Sequence, residues 1–150
     1  MIPVKEDLKY KLINKYAGPT SLVTDREVKH FLYDHLEQYG DNLVDIQGVI
    51  DYIFNDSGGF ILVQFFNNKI SGIVVVNETG MSGYIPENIL VYIAVDSKHR
   101  GLGFGKELMT CAIKSCTGDI ALHVEKNNPA RFLYEKRSEE HTSELQSHND

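Results

Sequence analysis

Hydrophobic residues recur at helical spacing along the first third of the chain. Residues 4–16 have a weak helical period, which predicts a helix ended by a loop containing glycine and proline. Residues 21–23 are a candidate short strand. Thr24 and Glu27 then form a Thr-x-x-Glu capping box, the side-chain pattern that opens a helix. The apolar residues expected on its inward face are Val28, Phe31, Leu32, Leu36 and Tyr39.

A second helix is predicted to begin at Asp41 or Asn42, because either side chain can accept a hydrogen bond from the first helical turn. The residues expected on its inward face are Val44, Val49, Ile50, Ile53 and Phe54. His30 and His35 lie on the preceding helix, where we expect solvated or partly packed side chains. Two amphipathic helices therefore precede the part of the chain that forms a sheet.

Three apolar runs rich in β-branched and aromatic residues follow, and they predict an antiparallel sheet. They cover residues 60–66, 69–76 and 89–95. The first two flank the pair Asn67-Asn68, which predicts a tight hairpin turn. A helix, a strand at residues 119–125 and a last helix from Asn128 complete the pattern. This order predicts an α+β fold with a mixed, mostly antiparallel sheet flanked by helices.

The chain is organised around a glycine-rich segment that follows the strand at residues 89–95. Gly101, Gly103 and Gly105 lie within five residues and allow the backbone to turn its N–H groups towards a ligand. The next helix directs the positive end of its dipole to the same place, so the segment predicts an anion-binding site. Lys106 stands where a dinucleotide fingerprint needs glycine, and the segment has no Gly-Lys-Ser/Thr of a P-loop.

This segment resembles the pyrophosphate loop of the GNAT superfamily of acyl-CoA-dependent N-acetyltransferases. The family pattern, Arg/Gln-x-x-Gly-x-Gly/Ala after a strand ending in valine, is met by Val95, Arg100, Gly103 and Gly105. Three later motifs also resemble the family. They are Leu-x-Val in a predicted strand, then Asn-Pro-Ala, then Leu-Tyr-Glu-Lys. The resemblance covers residues 58–136 and implies a GNAT-like fold. The two preceding helices fit the family only in position and number.

The resemblance also implies how acetyl-CoA, the acyl donor of the family, would be held. Its pyrophosphate would bind the backbone of Arg100, Gly101, Leu102, Gly103, Phe104, Gly105 and Lys106. Its pantetheine arm would bind unpaired backbone groups of Ile93, Ala94 and Val95, where two strands of the family separate at a bulge. Asn128 matches a family asparagine that contacts the same arm, or it only caps the last helix; Asn127 is the alternative in register.

The catalytic residues are likewise implied by the resemblance. Tyr134, in the Leu-Tyr-Glu-Lys motif, matches the family's general acid. A phenol suits this role, because it keeps its proton at neutral pH and can donate it to a departing thiolate. Packing in the core is its alternative role. The base stays open between His123, Glu125 on the same strand face, Glu87 before another strand, and water. No metal ligand set is expected.

Composition adds limits on location and partners. The 150 residues are those of one globular domain, with a formal charge of −6 and no basic face for nucleic acid. No apolar run reaches membrane-spanning length, and the first residues lack a signal-peptide pattern. Cys111 and Cys116 lie on different faces of one predicted helix, so no disulfide is expected. We therefore expect a cytoplasmic protein without a nucleic-acid or membrane partner.

The end of the chain has a different character. Residues 137–150 have almost no apolar residues, and residues 137–148 resemble the translation of a short-read sequencing adapter. We expect a GNAT-like domain at residues 1–136 and a non-native tail that is irregular or continues the last helix. In the family two more strands follow Leu-Tyr-Glu-Lys, so the resemblance implies a truncated domain that lacks them. Its open sheet side is expected to lead to self-association, as a homo-oligomer or an aggregate.

The function implied by the resemblance is transfer of an acetyl group from acetyl-CoA to an amine, directly, in a ternary complex. The acceptor is a small molecule or a peptide, and the sequence does not identify it. Two alternatives stay open. One is a non-catalytic acyl-CoA-binding module, and the other is an inactive truncated fragment.

Overall fold

The computed structural model of the protein describes residues 7–16, 18, 23–36, 42–55, 58–83 and 85–122. In order, these residues form strand β1 (Leu8–Ile13), helix α1 (Asp25–Leu36), helix α2 (Leu43–Asn55), strand β2 (Gly59–Phe66), strand β3 (Lys69–Glu78), strand β4 (Asn88–Val95), helix α3 (Phe104–Ser115) and strand β5 (Ile120–Leu122). A short 3-10 helix, Ser97–His99, lies between β4 and α3.

The strands form one sheet whose spatial order, β1-β2-β3-β4-β5, is also their order in the sequence. Neighbouring strands are antiparallel from β1 to β4, and β5 is parallel to β4 after the crossover through α3. The predicted α+β fold with a mixed, mostly antiparallel sheet is therefore confirmed. The crossover brings the start of α3 to the C-terminal end of β4.

The helix predicted at residues 4–16 is wrong, because Leu8–Ile13 form the edge strand β1. This strand pairs with β2 along its whole length. Its residues alternate between the two faces of the sheet, with Tyr10 and Leu12 packed on the α3 side and Ile13 on the side of α1 and α2. Long-range pairing with β2 supplies backbone partners and outweighs the weak local helical period.

The starts of the first two helices agree with the sequence patterns. The Thr24 hydroxyl accepts a hydrogen bond from the Glu27 N–H at 3.2 Å, and the Glu27 carboxylate accepts one from the Thr24 N–H at 3.3 Å. This confirms the capping box. Asn42 caps α2, because its Oδ1 accepts from the Asp45 N–H at 2.9 Å. The alternative cap, Asp41, lies outside the described residues.

The inward face of α2 differs from the prediction at one position. Val44 is 79% exposed, whereas Ile46 is fully buried. With the cap at Asn42, the buried stripe begins at Ile46 rather than at Val44 and repeats at helical spacing. The buried residues of the two helices are Val28, Leu32, Leu36, Ile46, Ile50 and Ile53. Phe31, Val49 and Phe54 pack partly against them, and Tyr39 lies outside the described residues.

We expect the Thr24→Ala substitution to lower the free energy of unfolding by about 1 kcal/mol, because it removes the acceptor for the Glu27 N–H. Chemical denaturation of both proteins measures the difference. Thr110→Ala is a matched control, since the Thr110 hydroxyl donates to the Lys106 carbonyl inside α3 rather than capping a helix. A loss of equal size in both variants would show that the cap is not the cause.

The predicted hairpin between β2 and β3 is confirmed. Asn67 and Asn68 have φ angles of 52° and 64°, as a two-residue type I′ turn requires. Phe66 and Lys69 pair directly across this turn. The turn therefore fixes which residues of the two strands face each other.

The sheet separates two hydrophobic clusters. On one face, α1 and α2 cover residues that include Ile61, Val63, Ile73 and Val75. On the other face, α3 covers residues that include Phe60, Leu62, Val74 and Val76. Strands β2 and β3 are thus buried on both faces, which explains why their sequences are nearly continuous apolar runs.

Cys111 and Cys116 are both free, as the sequence predicts. Burial raises the pKa of the Cys111 thiol, and it raises the pKa of the Cys116 thiol to about 12. Both thiols therefore keep their protons at neutral pH and are weak nucleophiles.

Several sequence predictions concern residues after Leu122, outside the described part of the chain. They are the last helix from Asn128, the tail at residues 137–150, the two strands missing relative to the family, and self-association through the open side of the sheet. They stay predictions.

Candidate anion-binding site

The glycine-rich segment joins the C-terminal end of β4 to the start of α3. After Val95, the Asp96 carboxylate caps the 3-10 helix by accepting a hydrogen bond from the Lys98 N–H at 2.9 Å. The chain then turns through Gly101 and Gly103, whose φ angles of 83° and 85° favour glycine. These turns connect the C-terminal end of β4 to the first residue of α3.

The first turn of α3 carries backbone N–H groups that the helix itself does not use. Its first intrahelical bond joins the Glu107 N–H to the Gly103 carbonyl at 3.1 Å. The N–H groups of Phe104, Gly105 and Lys106 therefore have no partner within the helix. A Cβ atom placed on Gly103 would meet no atom within 4 Å, so the space beside the cap is open. Together with the helix dipole, this geometry suits an anion.

Arg100 attaches the segment to the C-terminal end of α1. Its Nη2 donates to the His35 carbonyl oxygen at 2.6 Å. Carbonyls in the last turn of a helix carry the negative end of its dipole, so a guanidinium is favourable there. The His35 ring adds two contacts: Nδ1 accepts from the Ser97 N–H at 3.4 Å, and Nε2 lies 3.9 Å from an Asp96 carboxylate oxygen.

The pKa of the Asp96 carboxyl is lowered from its ordinary value. Burial by itself would raise it, but the hydrogen bond from the Lys98 N–H and the electrostatic interactions with His35, His99 and Lys98 outweigh that effect. Asp96 is therefore ionised at neutral pH and remains an acceptor for the cap. Its contribution to stability is present above the ordinary pKa and is lost as the pH falls through the lowered one.

Phe104 anchors the start of α3 in an aromatic cluster and is only 2% exposed. His99 stacks on it with ring centroids 5.0 Å apart. Phe66 meets both rings edge-on, at 5.2 Å from Phe104 and 5.5 Å from His99. Leu102 and Lys106 are exposed by contrast. The Phe104 side chain therefore attaches the segment to the core, and the other large side chains of the segment lie at the surface.

Strand β4 contains a bulge just before the residues predicted to bind pantetheine. Its register with β3 shifts so that Val91 is an extra residue. Within the described residues, which end at Leu122, strand β5 pairs with residues 88–90 of β4. Beyond the bulge, Ile93, Ala94 and Val95 pair with β3 on one side, and within the described ranges they have no strand on the other. This free edge can pair with an extended ligand, and it leads directly into the glycine segment.

A profile of the Acetyltransferase (GNAT) family matches residues 24–138. The match begins at the capping box of α1 and includes the bulged strand, the glycine turn and α3. The chain belongs to the GNAT acetyltransferase family. The resemblance stated from the sequence is thereby confirmed at the level of the family.

Solved structures similar to this GNAT protein include three acetyltransferases. Diaminobutyrate acetyltransferase EctA from Paenibacillus lautus, in complex with L-2,4-diaminobutyric acid and coenzyme A, is 22% identical, with a TM-score of 0.61 over 89% of this chain and 75% of that one. The aminoglycoside acetyltransferase meta-AAC0020 from an uncultured soil metagenomic sample is 15% identical, with a TM-score of 0.56 over 90% and 89%.

The third is a ribosomal-protein-alanine N-acetyltransferase from Brucella melitensis biovar Abortus 2308. It is 18% identical, with a TM-score of 0.56 over 87% of this chain and 89% of that one. At these identities the similarity shows a shared fold. A comparison with curated protein sequences gives no significant match.

Two further properties of the GNAT protein concern its described residues only. None of its helices there combines the length and the apolar character needed to cross a membrane. In the same ranges, His, Cys, Asp and Glu side chains do not come together in a group of three or more that could hold a metal ion.

The side chains predicted to perform chemistry in this GNAT protein fall outside the described residues. They are Tyr134, His123 and Asn128, with the alternatives Glu125 and Asn127. Glu87 is described, and its carboxylate accepts a hydrogen bond from the Asp119 N–H at 2.6 Å. This contact closes the turn before β5, at the opposite end of β4 from the glycine segment, so Glu87 has a structural partner there.

Two residues that contact the glycine segment were missed by the sequence analysis. Gln64 interrupts the apolar run of β2 and donates to the Phe104 carbonyl at 2.9 Å. A fully buried glutamine within an apolar run is a signal that could have been used. His35 gave no such signal, because its role depends on where the end of α1 packs.

Proposed function

We propose that the protein is an N-acetyltransferase that transfers an acetyl group from acetyl-CoA to an amine by direct transfer in a ternary complex. The observation that carries this proposal is the continuity of two open backbone surfaces in a GNAT chain. Among the described residues, Ile93, Ala94 and Val95 of β4 have no strand on the side away from β3, and they lead into the start of α3, whose first N–H groups have no partner within the helix.

These two surfaces match the two parts of the proposed donor. The N–H groups of Phe104, Gly105 and Lys106 would bind the pyrophosphate, since three donors and a helix dipole converge there. The pantetheine arm carries amide groups, and it would pair with the edge of β4 as an added strand. Binding at both surfaces would hold the thioester in one position relative to the acceptor.

In the proposed reaction the acceptor nitrogen attacks the thioester carbonyl carbon. A C–N bond forms, the C–S bond breaks, and coenzyme A leaves as the thiolate. Tyr134 would donate a proton to the sulfur, and His123 or water would accept the proton released by the amine. These two roles rest on the family resemblance of the sequence.

The acceptor is proposed only as an amine, carried by a small molecule or a peptide. The names of the three similar structures refer to a diamino acid, an aminoglycoside and an alanine of a ribosomal protein, so they share an amine and differ otherwise. Their diversity supports the class of acceptor without selecting one.

The direct test measures binding and turnover separately, with the full chain. Isothermal titration with coenzyme A should give a single site, and acetyl-CoA with a panel of amines should release free thiol faster than without amine. Binding without amine-dependent release would support a non-catalytic acyl-CoA-binding module. Absence of both would contradict the proposed function.

If Tyr134 is the general acid, we expect Tyr134→Phe to lower kcat at least about tenfold while the affinity for acetyl-CoA is nearly unchanged, because the proton is needed only as sulfur leaves. Steady-state kinetics with acetyl-CoA and the best amine of the panel measure both quantities. A raised KM with an unchanged kcat would instead identify Tyr134 as a binding or packing residue.

A further inference from the structure

Gln64 is a completely buried polar residue near the C-terminal end of β2. Its Nε2 donates to the Phe104 carbonyl at 2.9 Å and to the Tyr10 hydroxyl at 3.1 Å. Its Oε1 accepts from the Ser71 hydroxyl at 2.7 Å. Both N–H bonds and one acceptor position are therefore used, so the amide is satisfied although it has no access to water.

The orientation of this amide is fixed by its partner on α3. The Phe104 carbonyl can only accept, so the atom that faces it must be the amino group of Gln64. Burial raises the pKa of the Tyr10 phenol despite the lowering effect of the bond from Gln64, so Tyr10 is neutral and can also accept. The amide therefore has one arrangement in which every contact is a hydrogen bond.

The bond to Phe104 reaches the anion site through a single peptide unit. The Phe104 carbonyl and the Gly105 N–H belong to the same trans peptide and point in opposite directions. Gln64 holds the carbonyl end from within the sheet, and the N–H end belongs to the first turn of α3, whose N–H groups have no partner within the helix. A bond donated to the carbonyl also polarises the unit, which makes its N–H a stronger donor.

The other end of the segment is attached to the same place in the sheet. Ser71 is the extra residue of a bulge in β3, opposite Gln64 and Phe65. Its hydroxyl donates to Gln64, and its carbonyl accepts from the Asp96 N–H at 2.8 Å. The neighbouring residues Gln64 and Ser71 thus hold both the entry and the exit of the glycine segment.

We infer that Gln64 is a positioning residue of the anion site, which orients the Gly105 N–H towards the bound ligand by fixing the Phe104 carbonyl. The inference rests on the proposed function only for the ligand, the pyrophosphate of coenzyme A. The orientation of the peptide is a property of the chain without ligand.

The test compares two ways of disrupting the same buried network. Gln64→Met keeps the approximate volume and removes the donor to Phe104, whereas Tyr10→Phe removes another partner of Gln64 and leaves that donor in place. We expect Gln64→Met to raise the Kd for coenzyme A about tenfold, the effect of weakening one bond to a charged group. Tyr10→Phe should keep the Kd within about twofold.

A second pair of variants applies if Gln64→Met does not fold. Tyr10→Phe, Gln64→Met and Ser71→Ala combined replace the side chains of the network with apolar groups of similar shape, which is close to neutral for stability. Its control carries Tyr10→Phe and Ser71→Ala with Gln64 retained. The triple variant should show the tenfold loss of affinity relative to this control, whereas equal affinities would overturn the inference.

A measurement without ligand separates this inference from the proposed function. The amide resonance of Gly105 in nitrogen-15 NMR spectra should shift when Gln64 is replaced and stay in place in the control variants, because it reports the polarisation of that peptide. Failure of the parent chain to bind coenzyme A would contradict the proposed function. An unchanged Gly105 resonance in the Gln64 variants would contradict the inference.

Discussion

The Gly103→Asp variant should lose the thermal protection that acetyl-CoA gives to the parent chain. A ligand at a hundred times its Kd stabilises a protein by about 2.7 kcal/mol, which is a rise of about 5–10 °C in Tm for a domain of this size. Gly103 caps α3 and stands beside three N–H groups that have no partner within the helix. A carboxylate there would occupy the anion site and repel phosphate, so thermal melts with and without acetyl-CoA should coincide.

Gly80→Asp provides the matched control for this experiment. Gly80 has a φ angle of 74°, close to the 85° of Gly103, and a Cβ on either residue would meet no atom within 4 Å. The two substitutions therefore introduce the same charge at similar backbone conformations. Gly80 lies in the connection between β3 and β4, so the protection should remain. Protection of both variants to the same extent would place the ligand away from Gly103.

The Gly59→Ala variant should lose about 3–5 kcal/mol of the free energy of unfolding, the sum of backbone strain and overpacking. Gly59 lies in β2 with a φ angle of 132°, a conformation that residues with a Cβ rarely adopt. A Cβ there would overlap the Val76 carbonyl oxygen and would lie 2.9 Å from the Asn77 Cα. The obstacle is backbone of the paired strand, so the sheet itself would have to move.

Gly48→Ala separates this effect from the general consequence of replacing glycine. Gly48 lies within α2, and a Cβ there would meet no atom within 4 Å. Alanine is the better helix former, so this variant should gain about 0.5–1 kcal/mol. Urea denaturation of the three proteins measures both changes. A Gly59→Ala variant as stable as the parent would show that the strand relaxes at no cost.

The parts of the fold that the sequence predicted are those specified by neighbouring residues. The Asn67-Asn68 turn has two residues that tolerate positive φ, and the glycine turn before α3 combines a buried strand with a helix start. A bulge in β4 was implied by the family resemblance, and the structure has it at Val91. Each signal lies within a few residues of the feature it predicts.

The parts that were missed depend on partners far away in the sequence. Leu8–Ile13 form a strand because their backbone pairs with that of β2. No pattern within the segment itself indicates this pairing. Arg100 was predicted beside the phosphates, but the carbonyl of His35 that it contacts is 65 positions away. The partner of Gln64 on α3 is 40 positions away. The sequence therefore shows a polar residue within an apolar strand but does not show which group it contacts.

The order of the strands also determines which part of the sheet opens most easily. Strands β2, β3 and β4 are joined by connections without helices, whereas both α1 and α2 separate β1 from β2. Chain entropy makes a longer closure costlier, by about 0.6 kcal/mol for each doubling of its length. An edge strand also has fewer backbone partners, so among the four antiparallel strands local unfolding is easiest at β1. Detachment of β1 would release Tyr10 from Gln64 but leave the bond from Gln64 to Phe104 inside the sheet.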